Sequence, residues 1–291
     1  MNTTASVHWH LLGAGNMGTL AASRLLHAGY PVQALHPQAR HIDRTLSRNN
    51  QPVESLHLPV DPHGPVQYLL LALKGPQTRP ALDALLPRLA NDVLILCLQN
   101  GMGMLDDVAL PGGARILHAI TTDGAWRDGN TVHVVAENST EVGGMNSLPE
   151  ALEPLADCWP GWRWRADIAP AQWRKLAINA VINPLTALYD CRNGDLLDQG
   201  PRQAHLAKLA SEIDAALPHW LEHWPGNTTQ LAETVAQQTA GNTSSMRADW
   251  LAGRETEIDF INGYLVRCAS RHGIELPAHR GVLEKLSRRP H

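Results

Sequence analysis

Lys175, Asn179 and Asn183 recur every four residues in the segment running from Trp173-Arg174-Lys175-Leu176 to Asn183-Pro184-Leu185-Thr186. In an α-helix each step of four residues drifts by only about 40°, so the three polar heads lie within a stripe of roughly 80°. One ammonium and two amides on such a stripe suit a substrate with anionic and hydroxyl groups. The residues between them, Leu176, Ala177, Ile178, Ala180, Val181 and Ile182, are apolar. A helix that is apolar on nearly every side is buried, and its polar stripe then faces a partner or a cavity. A lysine can snorkel, and asparagines can serve buried backbone groups. Burying all three heads without partners, however, costs about 1 to 3 kcal/mol for each unmet amide and more for the charge. A ligand with anionic and hydroxyl groups offsets that cost.

A second chemical feature lies near the start of the chain. Val7 to Leu12 reads as a strand, followed by Gly13-Ala14-Gly15-Asn16-Met17-Gly18 and then by Leu20, Ala21, Leu25 and Leu26 at helical spacing up to Gly29. In a strand, tight turn and helix of this kind, Gly13 permits the turn, Gly15 lets backbone approach a pyrophosphate, and Gly18 lets the helix lie close on the sheet. The free amides at the helix start, aided by the macrodipole, favour an anion. Val32 to Leu35 supplies the next strand, which makes a dinucleotide the expected ligand rather than an ordinary glycine-rich turn.

The continuous apolar runs Val66 to Leu73 and Val93 to Leu98 suit parallel strands covered on both faces. Lys74 follows the first run, and Gln99-Asn100-Gly101-Met102-Gly103 follows the second. Ligands of open α/β sheets bind beyond the carboxyl ends of strands, so Lys74 and Asn100 fall on the ligand side. Read alone, Lys74 is equally a solvated loop residue and Asn100 a turn residue. Arg115 to Ile120 reads as a further strand, Thr121 to Gly129 as a loop, and Thr131 to Val135 with Thr140 to Val142 as a hairpin closing the sheet edge. Ser147 to Asp157 reads as a helix and Trp162 to Arg165 as a last strand. Strand signals then cease. The expected organisation is a dinucleotide-binding Rossmann domain over 1–167 and a helical substrate domain over 168–291, with a hinge near 166–169 that closes on the bound ligands.

Composition narrows the function classes. A chain of 291 residues holds two ordinary domains, and a formal charge of −4 offers no basic footprint for nucleic acid. No run approaches the roughly 18 to 20 apolar residues that span a membrane. Met1 to Ser6 lacks the basic start and apolar stretch of a secretory signal, which gives a cytoplasmic expectation. Cys97, Cys158, Cys191 and Cys268 are far apart, as suits reduced thiols, and the 15 histidines are scattered singly, so no metal is expected.

Several longer motifs carry a resemblance. Gln172-Trp173-Arg174-Lys175-Leu176 through Asn183-Pro184-Leu185-Thr186-Ala187, Cys191-Arg192-Asn193-Gly194, Asn242-Thr243-Ser244-Ser245-Met246, Thr256 to Gly263 and Asn100 to Gly103 together resemble the 2-dehydropantoate 2-reductase, or ketopantoate reductase, family over nearly the whole chain. The resemblance implies an α/β N-terminal Rossmann-like domain and an all-helical C-terminal domain of the 6-phosphogluconate-dehydrogenase type, with catalysis in the cleft between. It implies NADPH-dependent reduction of 2-dehydropantoate to (R)-pantoate, on the way to pantothenate and coenzyme A, by a monomer or homodimer without nucleic-acid or membrane partners. Lys175 is then the general acid and a substrate contact. Asn179, Asn183, Asn193, Asn242, Thr243, Ser244 and Ser245 bind substrate. Gly13, Ala14, Gly15, Asn16, Met17, Gly18, His36, Lys74, Asn100, Ala125 and Glu257 line the cofactor side. Read from the residues alone, Asn242 to Ser245 is equally a helix N-cap, and Glu257 a favourable acid in the first turn of a helix whose stripe is Ile258, Ile261, Leu265 and Cys268.

The chain departs from the family where the second strand ends. Members commonly carry an arginine there for the 2′-phosphate, and this chain has His36-Pro37. No Asp or Glu stands at that strand end to claim a free 2′-hydroxyl, and His36, Arg40, His41 and Arg44 form a cationic cluster, so NADPH is expected over NADH. The chain also stops at Arg288-Arg289-Pro290-His291, earlier than some relatives, with no matched site residue lost. The rival readings are another Rossmann-plus-helical 2-keto or 3-hydroxy acid dehydrogenase, and a non-catalytic dinucleotide sensor, which has no need of a proton donor.

Overall fold

A computed structural model describes residues 7–49 and 53–287, so the readings of Met1 to Ser6 and of Arg288 to His291 fall outside the described residues. The chain divides into two units, one running to Gln99 and resuming over Asp107–Ala169, the other made of Asn100–Asp106 and the chain from Pro170 onward.

The first unit begins with β1 (Trp9–Leu12), α1 (Asn16–His27) and β2 (Val32–Ala34), continues through β3 (His41–Arg48), β4 (Glu54–Pro59), β5 (Val66–Leu71), α2 (Gly75–Leu85) and β6 (Leu89–Cys97), and closes with β7 (Arg115–Thr121), β8 (Gly124–Asp128), β9 (Thr131–Ala136), β10 (Thr140–Gly143), α3 (Leu155–Cys158) and β11 (Trp162–Arg165). Seven strands form one sheet in the order β11-β10-β7-β6-β5-β1-β2. Its central pairs are parallel, with Leu12 opposite Leu71 and Leu71 opposite Cys97, so the carboxyl ends of β1, β5 and β6 stand level. Trp9, Leu11, Leu69 to Leu71 and Val93 to Leu96 are all buried, as expected where helices or a second layer cover both faces.

The second layer is a four-stranded sheet, β4-β3-β9-β8, which the sequence reading missed. Its buried residues alternate, with Leu56 and Leu58 on β4 and Val132 and Val134 on β9, and they join α1 in the core. Gly124–Asp128, inside the expected loop, is a strand, and β9 pairs with β8 and β3 rather than with β10. β10 belongs to the larger sheet, between β7 and β11. The helix expected over Ser147 to Asp157 is reduced to a 3₁₀ turn, Glu150–Leu152, and the single turn of α3. Pro149 and Pro154 each lack the N–H that a continuous helix needs.

The second unit is helical: α4 (Ala169–Leu188), α5 (Pro201–Ala216), α6 (Thr228–Gln238), α7 (Ser245–Leu251), a π-helical turn at Asp259–Gly263 leading directly into α8 (Tyr264–Arg271), and α9 (Pro277–Ser287). Pro184 lies inside α4. Having no N–H, it leaves the carbonyl four residues back, that of Ala180, without its helical donor. The Asn262 side-chain amide fills that place, Nδ2 donating to the Ala180 carbonyl at 2.9 Å. The same amide lies 2.9 Å from Nδ1 of His279, whose Nε2 lies 3.0 Å from the Leu209 carbonyl. The carbonyl can only accept, so the proton is on Nε2 and Nδ1 accepts from Asn262.

This wholly buried ring stays neutral. Burial is the main cause that lowers its pKa, from 6.5 to about 4. The unfolded chain therefore binds a proton below pH 6.5 that the folded chain refuses until about pH 4, and stability falls as the pH drops through that window. At about 1.4 kcal/mol per pKa unit the full loss is about 3 to 4 kcal/mol. Denaturant titrations at pH 7 and pH 4.5 should show a steeper decline for the wild type than for His279→Gln; equal declines would remove this ring from the acid response.

Candidate active site

The glycine turn is shaped for a phosphate. Gly13 has φ 110°, and a side chain there would meet the Ala72 carbonyl carbon and the Leu73 nitrogen at 2.6 Å. A Cβ on Gly18 would collide with the Gly13 carbonyl oxygen, whereas one on Gly15 would meet nothing within 4 Å. The first and third glycines thus allow close packing, and the second opens onto free space where backbone can approach a ligand. Gly15 caps α1 with no side-chain acceptor over the helix start. The residues present therefore fit a dinucleotide pyrophosphate.

Neighbouring strands complete this surface. Asn16 donates to the Ala125 carbonyl at 3.0 Å, which brings β8 beside the turn. His36 sits just past β2 with its ring exposed, and Nδ1 accepts the backbone amides of Ala39 at 2.9 Å and Gln38 at 3.2 Å. The cationic cluster expected around it separates. His41 and His57 both turn to Asp43, Arg40 is exposed, and Arg44 alone reaches the glycine turn, Nε donating to the Ala14 carbonyl at 3.2 Å. Lys74 is half-buried at the N-cap position of α2. The buried Gln99 ties the ends of β5 and β6 together, donating to the Leu73 carbonyl at 2.7 Å and approaching the Thr78 hydroxyl.

Within the helical unit, the segment Asn100–Asp106 lies on the π-helical turn. The Met102 amide donates to the Phe260 carbonyl at 2.8 Å. Gly101 (φ 81°) presses on that carbonyl and Gly103 (φ 84°) on the Tyr264 ring, so side chains at either glycine are excluded by both conformation and space. On α4 the polar stripe grades inward: Lys175 and Asn179 are half-buried, and Asn183 is 8 % exposed. Glu257 is buried immediately before the helical turn that begins at Ile258.

The polar loops beside α4 have a structural share in their roles. Asn193 is buried, its Nδ2 donating to the Thr239 hydroxyl at 2.9 Å, while its Oδ1 is buried with no protein partner among the described residues. Its backbone amide donates to the Asn242 carbonyl, which sets the two loops side by side. The Ser244 hydroxyl accepts from the Arg247 amide as the N-cap of α7 and shares a 2.7 Å hydrogen bond with Thr186. Asn242, Thr243 and Ser245 are exposed.

Buried thiols contribute no nucleophile here: burial pushes Cys97 up to about 12 and raises Cys191 and Cys268 as well. Among the described residues no group of three or more His, Cys, Asp or Glu is placed to hold a metal ion, and no helix is long and apolar enough to cross a membrane.

Residues 9–147 match the family profile described as ketopantoate reductase PanE/ApbA, and residues 167–289 match its C-terminal counterpart. A 2-dehydropantoate 2-reductase of Yersinia pestis is 37% identical over 290 residues, covering 96% of this chain and 94% of that protein. The chain belongs to the ketopantoate reductase family. A PanE/ApbA family ketopantoate reductase from Ralstonia eutropha superposes with a TM-score of 0.84 at 21% identity, covering 97% of each chain. A D-mandelate dehydrogenase solved with NADH and anilino(oxo)acetate reaches the same TM-score of 0.84 at 21% identity, again over 97% of each chain. The fold is thus common to a ketopantoate reductase and a D-mandelate dehydrogenase. The Rossmann-like sheet followed by a helical unit is the architecture that ketopantoate reductase membership implies.

Proposed function

We propose that this chain reduces 2-dehydropantoate to (R)-pantoate with NADPH, with Lys175 as the general acid, in the supply of pantothenate and coenzyme A. The observation that carries the reading is the 37% identity to a 2-dehydropantoate 2-reductase along 96% of the chain, because the fold alone also accommodates a mandelate dehydrogenase. The family uses NADPH. When bound, the cofactor supplies hydride to the ketone carbon. Gly13 to Gly18, His36, Lys74, Asn100, Ala125 and Glu257 are the residues that would hold it.

The protein has two further tasks, orienting the ketoacid and stabilising the charge that develops on its carbonyl oxygen. Lys175 serves the second by hydrogen-bonding that oxygen and giving it a proton. Asn179 and Asn183, with Asn193 and Asn242 to Ser245, serve the first. Neutral amides can donate to a carboxylate or pair with a hydroxyl without adding charge that would compete with the ammonium. The buried Oδ1 of Asn193 suits a hydroxyl donor. Asn179→Ala should accordingly raise KM, with a smaller fall in kcat through misalignment. Steady-state parameters equal to those of the wild type would remove Asn179 from the site.

A substrate panel tests the reading as a whole. With NADPH in excess, kcat/KM should be highest for 2-dehydropantoate, well above phenylglyoxylate, and oxidation of 3-hydroxyisobutyrate with NADP⁺ should be negligible. Preference for either competitor would assign a different reaction, and no turnover of any of them would favour a dinucleotide sensor.

A further inference from the structure

We infer that Arg44, reaching from β3 to the glycine turn with Arg127 nearby, is the residue that selects the cofactor's 2′-phosphate in this chain. The inference rests on the NADPH reading above. At the end of β2, where an arginine would ordinarily meet that phosphate, His36 is poorly equipped to replace it. Nδ1 is occupied by two backbone amides, so the ring offers a ligand only the single donor on Nε2 and, in that state, no charge.

Arg44 has what His36 lacks. Its guanidinium is half-buried, and every protein partner is a neutral oxygen: the Ala14 carbonyl through Nε, and the Asp43 carbonyl at 2.8 Å and Asn130 Oδ1 at 3.3 Å through Nη1. Nη2 carries no protein hydrogen bond among the described residues. Arg127 lies near enough for its charge to oppose that of Arg44, which together with burial, the larger cause, lowers the Arg44 pKa. The adjacent carboxylate, Asp43, whose charge works the other way, bonds His57 at 2.7 Å and His41 at 3.2 Å rather than the guanidinium.

Two guanidinium groups near enough for their charges to oppose, neither bonded to a carboxylate among the described residues, suit a phosphate dianion. Their place also fits. The pyrophosphate belongs at the open Gly15 and the start of α1, whereas Arg44 grips the turn at Ala14, and its strand is the one that follows His36. In dinucleotide folds the ribose 2′-position lies on the side of the second strand's end. NADH, with a hydroxyl in that position, would leave the two cations opposing each other.

The test is calorimetric titration of the ligand-free protein with adenosine 2′-phosphate and adenosine 5′-phosphate, alongside kcat/KM for NADPH and NADH. Wild-type protein should bind the 2′-phosphate more tightly. Arg44→Gln should weaken that binding by at least about tenfold, leave the 5′-phosphate unchanged, and reduce the NADPH to NADH ratio of kcat/KM by a similar factor. Arg44→Lys should keep part of the preference, and Arg127→Gln, a change on an exposed side chain, should lose part of it. If the wild type discriminates and Arg44→Gln discriminates equally well, or if His36→Ala alone abolishes the preference, the inference is overturned while the NADPH reading stands. If the wild type does not discriminate, both fall. Should Arg44→Gln fail to fold, an undiminished 2′-phosphate preference in both Arg44→Lys and Arg127→Gln overturns the inference.

Discussion

Lys175→Ala should lower kcat by at least about a hundredfold while leaving NADPH affinity nearly unchanged. The split follows from what the side chain is asked to do. A proton donor acts on the ketone oxygen only as charge develops there, so its loss appears in the chemical step rather than in the binding of a cofactor held by the glycine turn. A general acid typically contributes roughly 10² to 10⁴ in rate. Lys175 has interactions of its own with the protein, but the helix does not hang on them alone. It is half-buried near the start of α4, whereas the helix is anchored further along by Asn262 on the Ala180 carbonyl and by buried Leu176, Val181 and Leu185. Lys175→Arg would retain charge but replace a mobile point donor with a rigid planar fork, and should recover little activity. Near-normal turnover in Lys175→Ala, with fold and cofactor binding intact, would take this lysine out of the mechanism.

Arg24→Ala should destabilise the protein by about 3 to 5 kcal/mol. Arg24 lies on α1, between the two sheets, with 2 % of its side chain exposed. Nη1 donates to Asp123 at 2.7 Å, Nη2 donates to Glu137 at 3.0 Å, and the guanidinium carbon lies 4.8 Å from the centre of the Trp159 ring. Glu137 is shared with Arg48, which also pairs with Glu54, and Glu54 accepts from Ser23. Removing Arg24 would leave Asp123, whose side chain is wholly buried, without its cation, and an uncompensated buried charge is the most costly kind of loss. The double variant Arg24→Ala with Asp123→Ala should recover part of that stability, because it removes the orphaned carboxylate too. Chemical denaturation measures both. A single-variant cost below about 1 kcal/mol would mean that water or side-chain movement relieves Asp123. Because Asp123 immediately precedes β8, the strand that carries Ala125, weaker dinucleotide binding should accompany the loss of stability.

The parts of this protein that follow one rule at a time were legible from sequence. The apolar runs of β1, β5 and β6 suited strands covered on both faces, the three glycines announced their turn, and the 3.6-residue period of α4 placed Lys175, Asn179 and Asn183 together. The small sheet was not legible, because β3 has only Ile42 and Leu46 as buried apolar residues, four apart among charged and polar neighbours, and β8 is a five-residue strand of half-buried and exposed residues. β8 pairs with β9 across the tight turn at Gly129 (φ 53°), a local hairpin signal that went unread, whereas β3 pairs with β9 from far along the chain, which no local window contains. For the same reason Arg24 passed unnoticed: its partners lie 99 and 113 residues away.

Around the candidate site the scaffold was legible and the side-chain partners were not. Ser244 fitted both a ligand contact and an N-cap, and the structure shows the cap without deciding the contact. The cationic cluster was visible as composition, but which member would reach the glycine turn depended on the register of β3. One signal was present and unused. A proline inside a helix leaves a carbonyl in need of a donor, and Pro184 therefore implied a residue such as Asn262 against Ala180.

The central claim places the Lys175 ammonium on the oxygen that is reduced. The most direct measurement is a crystal structure of the protein with NADP⁺ and pantoate bound. The account predicts Lys175 Nζ within hydrogen-bonding distance, about 2.7 to 3.2 Å, of the C2 hydroxyl oxygen of pantoate. A complex in which that ammonium points into bulk solvent while another group holds the hydroxyl would contradict it.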